Sequence, residues 1–323
     1  MKIVADYMTE KVVTIDCERT VFETVMIMRQ GRMGSLLVTE NNLPCGIFTE
    51  RDLLNKVDFA NQQTLQSMKI RDVMTRDLKT VPYNDPYTNV IELMQRYNIR
   101  HMPVEKDGKI IGIVSLRDLL RHYYEDLEVL FNDTVTALSS AVEKRDPYTA
   151  GHQERVKQLS CAIASELNLP QKQISGVSMS AVIHDVGKVY IPTQILNKPG
   201  KLNDAELTLI KVHPQVGYDI LKGIDFPWPI AEVVLQHHEK IDGSGYPQGI
   251  KNDKILFEAK IIGVADVVEA MASHRPYRPS LGIDKALQEI ERFKGSKFDA
   301  QIVDTCVKLF KEKNFQFAEV HNI

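Results

Sequence analysis

The chain has 323 residues, 43% hydrophobic and 26% charged, with formal net charge −3 and four cysteines. That length fits about two domains, and the hydrophobic fraction supplies buried cores and excludes a disordered chain. Residues 1–123 carry 17 Lys+Arg against 16 Asp+Glu, and the remainder 23 against 27. Neither half therefore has the bulk basicity of a DNA- or RNA-binding protein, and an anionic ligand must be held by a few placed cations. Cys17, Cys45, Cys161 and Cys306 form no CxxC pair, which excludes zinc ribbons and redox dithiols and fits free thiols in a reducing compartment. The N-terminus lacks an apolar signal core, and no run approaches the roughly 18 apolar residues of a membrane span. A cytoplasmic protein without membrane contact is expected.

Along the chain, an offset of 66 residues superposes one segment on the next without a gap. Met8-Thr9 falls on Met74-Thr75, Thr14 on Thr80, Met28 on Met94 and Val38 on Val104. Gly46-Ile47 falls on Gly112-Ile113, and Arg51-Asp52-Leu53-Leu54 on Arg117-Asp118-Leu119-Leu120. Each copy alternates strand and helix. An amphipathic helix from Val21 to Met28 precedes a strand from Ser35 to Thr39, a turn at Asn41-Asn42, a strand at Gly46-Ile47-Phe48 and a helix after Thr49.

On Gly46-Ile-Phe-Thr-Glu-Arg-Asp52 and Gly112-Ile-Val-Ser-Leu-Arg-Asp118, the segment resembles a tandem pair of CBS domains. The resemblance implies an α/β pair, 1–60 and 67–123, whose clefts take an adenine nucleotide. Thr49 and Ser115 would reach phosphate or ribose, and Asp52 and Asp118 the ribose hydroxyls. Thr49-x-x-Asp52 and Ser115-x-x-Asp118 also fit a helix capping box, so nucleotide binding and capping both stand as readings.

From Leu120 the apolar positions Tyr124, Leu127, Phe131, Val135, Leu138 and Val142 recur at spacings near a coiled-coil seam. Residues 124–144 therefore read as a linker helix, either simply packed or continuous at a homodimer interface.

In the second half, His184-Asp185 closes the apolar run Ser180-Ala-Val-Ile183, and His213 precedes Pro214. His237-His238 ends the run Ile230 to Leu235, and Asp266 stands among apolar neighbours. A buried unpaired carboxylate is costly, so Asp266 needs a partner, either a hydrogen bond or a metal. Imidazoles and carboxylates without sulfur suit divalent first-row ions. Asp185 could bridge two of them, an arrangement that clamps a phosphodiester for hydrolysis.

These residues closely resemble the HD-GYP branch of the HD phosphohydrolases. The matching text is Arg145-Asp-Pro-Tyr-Thr-Ala-Gly-His152, His184-Asp-Val-Gly-Lys188, Asn197-Lys-Pro-Gly-Lys201 and His213-Pro214. It continues through His237-His-Glu-Lys-Ile-Asp-Gly-Ser-Gly-Tyr-Pro247 and Ala265-Asp266 to Arg275-Pro-Tyr-Arg278. The resemblance implies an all-α domain over 145–323 that hydrolyses cyclic di-GMP to pGpG and on to GMP. By the same resemblance His152, His184, Asp185, His213, His237, His238 and Asp266 would be metal ligands. Asp185 and Lys188 would be catalytic, and Arg275, Arg278, Lys188 and Tyr246 would hold substrate. Asp146-Pro147-Tyr148 stands where some members carry a third-metal Glu, which favours two ions, iron or manganese. His274 stands where many members have Asp, and Gly295-Ser-Lys-Phe-Asp-Ala300 departs slightly from the family's Phe-Asp-Pro.

The expected fold is α+β overall, and the expected function a cyclic di-GMP phosphodiesterase regulated by its CBS pair. The alternatives are an enzyme for another cyclic dinucleotide such as cyclic GMP-AMP, and a non-catalytic cyclic di-GMP receptor.

Overall fold

The 66-residue repeat becomes two sheets of one design. In the first, β1 (Thr14–Asp16) runs parallel to β2 (Ser35–Glu40), which pairs antiparallel with β3 (Leu43–Thr49). In the second, β4 (Val81–Pro82), β5 (His101–Lys106) and β6 (Lys109–Ser115) repeat that order. Even the register slip recurs, at Val38/Thr39 and at Val104/Glu105. Helix α1 (Val21–Gly31) opens with Thr20 and Glu23 each bonding the other's backbone N–H, a reciprocal cap. Helices α2 (Glu50–Lys56), α3 (Ile70–Val73) and α4 (Tyr87–Arg96) complete the copies.

The copies exchange their leading segments. Thr9 bridges to Ile113 and Thr75 to Ile47. A Cβ on Gly46 would lie 2.8 Å from the Met74 sulfur, and one on Gly112 2.4 Å from that of Met8. Each Met-Thr segment thus packs on the other copy's Gly-Ile strand, which accounts for both dipeptides sharing one offset.

The computed structural model describes residues 2–57, 66–145, 151–273 and 280–318, and the chain divides into two compact units, residues 1–129 and 130–323. Helix α5 (Leu116–Glu143) begins in the first unit and ends in the second. The apolar stripe expected here is buried only in part. Val135 is buried and Val142 packs beside it against Met179, Val182, Ile183, Ile230 and Val234 of the second unit. Tyr124, Leu127, Phe131 and Leu138 are exposed. Among the described residues no helix is long and apolar enough to cross a membrane.

The second unit is helical: α6 (His152–Glu166), α7 (Gln171–Ile183), α8 (Thr193–Leu196), α9 (Asp204–Ile210) and α10 (His213–Leu221), then α11 (Ile230–Gln236), α12 (Phe257–Ala272), α13 (Ile283–Arg292) and α14 (Ala300–Lys311). Its largest core joins Val156, Leu159 and Ile163 of α6 to Ile261, Val264 and Val268 of α12, closed by Ile302 and Cys306 of α14. Burial pushes the Cys306 thiol up to about 12, so it behaves as a small apolar side chain.

Candidate metal centre

Helix ends bring the predicted residues together. His152 is the first residue of α6, His213 the first of α10, and His184 and His237 follow the last residues of α7 and α11. Asp185 starts the 3₁₀ turn Val186–Tyr190, and Asp266 projects from the middle of α12. Three trios result, each with donor atoms within 4.8 Å of one another: His152, His184 and Asp266; His184, Asp185 and His237; His213, His237 and His238.

The imidazoles are oriented by their outer nitrogens. Nδ1 of His184, His213 and His237 lies 2.7, 2.8 and 2.6 Å from the carbonyls of Ala181, Ile210 and Val234, each three residues back. A carbonyl only accepts, so each Nδ1 carries the proton and each Nε2 presents a lone pair. Nε2 of His213 and Nε2 of His237 face each other at 3.3 Å. Burial lowers these two side chains to about 4 and about 3, so neither holds a proton near neutrality to bridge the pair. Nε2 of His184 is buried with no hydrogen bond of acceptable geometry. Buried lone pairs that converge without a donor fit a cation, and this donor set suits a divalent first-row ion.

Asp185 lies between the histidines. Its Oδ2 is 3.8 Å from His152 Nε2, 3.4 Å from His184 Nε2 and 2.6 Å from Lys188 Nζ. Its Oδ1 is 3.4 Å from His213 Nε2. The two oxygens thus address different histidines, the geometry a bridging carboxylate needs. Burial alone would raise its pKa, but Lys188 and the imidazoles outweigh burial and hold it well below the ordinary range. Asp266 is likewise held low against its burial, chiefly by His152; its oxygens lie 3.3 Å from His152 Nε2 and 3.8 Å from His238 Nδ1.

Glu269, one turn after Asp266, was not picked out from the sequence. It bonds His152 Nδ1 and also accepts from Arg155 Nε at 2.7 Å and Ser273 Oγ at 2.6 Å. Burial would lower His152, yet Asp266 and Glu269 raise it to about 9. A carboxylate on the far nitrogen of a ligand imidazole fixes its orientation and basicity. The i, i+3 spacing of two acids within the apolar run Ile261 to Met271 is the signal that could have found it.

Glycines close the site, though by close approach more than by turn formation. A Cβ on Gly187 would lie 1.9 Å from the His213 carbonyl oxygen, and one on Gly263 2.7 Å from that of His237. In the Gly-Ser-Gly-Tyr-Pro loop only Gly243 has left-handed backbone, φ 86; Gly245 is needed because a Cβ would sit 2.4 Å from the Glu239 Cα. That approach brings the Tyr246 ring to 4.7 Å from His238, and burial raises its hydroxyl. Arg275, Arg278, His274 and the Asp146-Pro147-Tyr148 stretch lie outside the described residues.

In the first unit both Thr49-Asp52 and Ser115-Asp118 cap their helices, but unequally. Asp52 is buried; Oδ2 accepts from Thr49 N and Oγ1 at 2.9 and 2.7 Å, Oδ1 from Thr75 Oγ1 at 2.8 Å and Lys56 Nζ at 2.7 Å. Asp118 accepts from Ser115 Oγ at 2.6 Å. Its side chain is 46% exposed, and Arg121 Nη2 is 3.8 Å from Oδ1.

Comparison with protein families matches an HD domain over residues 136–302 and CBS domains over residues 4–58 and 70–125. The cyclic di-GMP phosphodiesterase response regulator RpfG of Xanthomonas campestris is 36% identical over 197 residues, covering 60% of this chain and 52% of its own length. A cyclic di-GMP phosphodiesterase of Thermotoga maritima is 36% identical over 199 residues, 61% of this chain and 54% of its own. The 3'3'-cGAMP-specific phosphodiesterase 3 of Vibrio cholerae is 39% identical over 157 residues, 49% of this chain and 34% of its own. The chain thus spans about half the length of the first two relatives and about a third of the last.

Proposed function

The chain belongs to the HD domain family, with CBS domains ahead of the HD domain, and from that premise we propose that it is a metal-dependent cyclic di-GMP phosphodiesterase. The observation that carries this reading is the convergence of histidine lone pairs beside Asp185, whose two oxygens address different imidazoles. His152, His184, Asp185, His213, His237, His238 and Asp266 would hold two divalent ions, iron or manganese. When bound, such ions supply Lewis acidity toward phosphate oxygens and lower the pKa of water. Lys188, 2.6 Å from Asp185, would donate to the scissile phosphate and hold a proton for the leaving oxygen. Tyr246 offers a ring face to a guanine, and Arg275 and Arg278 forked donors to phosphate or base. Products would be pGpG and GMP.

The regulatory ligand would be an adenine nucleotide. Its contact would be at Ser115 and Asp118 rather than Thr49 and Asp52, because the Asp52 carboxylate is already committed to four donors. The exposed positions Tyr124, Leu127, Phe131 and Leu138 follow the spacing of a coiled-coil seam, which supports a homodimer along α5. A cytoplasmic enzyme is the fitting setting for a nucleotide messenger.

Cyclic GMP-AMP is the second substrate reading, favoured by the Vibrio cholerae relative. Purified chain with Mn2+ or Fe2+, offered a panel of cyclic dinucleotides with products separated by chromatography, decides between them. Cleavage of cyclic di-GMP that is lost in Asp185→Ala is expected, and full activity in chelator-stripped protein would refute the metal mechanism.

A further inference from the structure

The buried face of the α5 end packs on α7 and α11, the helices that finish at His184 and His237. Two polar side chains add directional contacts there. Ser139 is 1% exposed, and its Oγ meets the carbonyl of Val182, two residues before His184. The same Oγ lies 2.7 Å from the side-chain amide of Gln153, the neighbour of His152. The Gln153 atom there is Oε1, so the Ser139 hydroxyl is the donor shared between that oxygen and the Val182 carbonyl.

Glu143, the last residue of α5, supplies what α6 lacks. That helix starts after Gly151, φ 75, which makes no side-chain cap. Glu143 Oε1 accepts from the Gln153 N–H at 3.4 Å, and the N–H groups of Gly151 and His152 also turn toward its carboxylate. The first amides of the helix bearing His152 are therefore satisfied from α5.

We propose that Ser139 and Glu143 are positioning residues that convert a displacement of α5 into displacement of His152 and His184, so that the helix shared by both units sets the geometry of the metal centre. This rests on the phosphodiesterase reading above. Helix shifts in allosteric proteins are about 1–2 Å, while a working site tolerates about 0.5 Å. A shift of ordinary size is therefore enough to disassemble the centre.

The test uses the full chain with Ser139→Ala, Glu143→Ala and Glu143→Gln. Mn2+ is titrated calorimetrically into metal-free protein, alongside kcat and KM for cyclic di-GMP and the melting temperature. Both alanine variants should lose about tenfold or more in Mn2+ affinity, the usual effect of removing an outer-shell partner, and kcat should fall with KM nearly unchanged. Glu143→Gln should restore most of the affinity, because its amide oxygen accepts the same N–H groups. Mn2+ affinity within about twofold of wild type in both alanine variants would overturn the proposal, even with a lowered melting temperature. If Glu143→Ala fails to fold, the near-isosteric Ser139→Ala carries the same two outcomes. Wild-type chain that binds Mn2+ but cleaves no cyclic dinucleotide overturns the phosphodiesterase reading alone, and the Mn2+ comparison still decides the positioning role.

Discussion

Gly187→Ala adds one methyl group where there is no room for it. The new Cβ would stand 1.9 Å from the His213 carbonyl oxygen and 2.6 Å from the Gly217 backbone nitrogen. Restoring ordinary contact, roughly 3.5 Å, means a separation of about 1.5 Å between the turn after Asp185 and α10. Both obstacles are backbone atoms of α10, so no rotamer relieves them, and His213 has to move with its helix. Overpacking of this kind costs about 1–3 kcal/mol, or a fall of about 2 to 12 °C in the melting temperature of a unit this size. A displacement near 1 Å at a reacting centre costs about 100-fold in rate, so the functional loss should exceed the stability loss. Gly223→Ala is the control: nothing lies within 4 Å of its Cβ, and the variant should match wild type or gain about 0.4–1 kcal/mol. The measurements are thermal unfolding of the full chain, calorimetric Mn2+ binding and chromatographic hydrolysis of cyclic di-GMP. Wild-type Mn2+ affinity and melting temperature in Gly187→Ala would refute the close-approach argument.

Glu269→Gln removes the charge behind His152 and its pair with Arg155; Mn2+ affinity should fall about 10- to 100-fold, read by competition with a chromophoric chelator. Chelation should lower the unfolding temperature of the second unit while the first holds, since an ion at 100 times its Kd adds about 2.7 kcal/mol; a scan unchanged by chelator would remove the metal from the account. In Asp52, burial opposes ionisation, but Lys56, Thr49 and Thr75 hold the folded pKa below its ordinary 3.8. Its contribution is therefore present above the unfolded value and lost as pH falls through the folded one. Asp52→Asn should be less stable than wild type at pH 7, and the gap should close below about pH 4, measured by thermal melts across pH. A gap that widens in acid would reverse the sign of that argument.

The donor residues were legible in sequence because each is costly to bury, so His184, Asp185, His237 and Asp266 in apolar runs announce a partner. What surrounds them was less legible for a physical reason. Glu269 on a helix reads as an ordinary solvent-facing acid until the neighbour that buries it, α6 with His152 and Arg155, is known. Gly187 stood inside a recognised motif, yet its necessity lies in the path of α10, which no local pattern encodes. On α5 the spacing of apolar residues defined a helix but not which of them the core covers. Val135 and Val142 pack on the second unit's core, while Leu127 and Leu138 of the same stripe stay exposed. The net negative charge of the second half is consistent with this site: a cluster of lone pairs and carboxylates draws its positive charge from bound ions, which a residue count omits.

The repeat carries the sharper lesson, since two copies of one motif need not do one job. Thr49-x-x-Asp52 and Ser115-x-x-Asp118 are the same pattern at the same offset, and both cap a helix. Their difference is supplied by a residue outside the pattern. The 66-residue offset places His122 where the first copy has Lys56. Lys56 reaches Asp52 at 2.7 Å and fills its second oxygen together with Thr75. His122 instead pairs with Glu125 at 2.9 Å and stacks on Tyr7, so Asp118 has a serine on one oxygen and only the more distant Arg121 Nη2, at 3.8 Å, on the other. A carboxylate has about four lone-pair sites, and accepting from a pair of ribose hydroxyls takes two that are unfilled. On that criterion the Asp52 carboxylate is filled from within the chain and the Asp118 carboxylate is not.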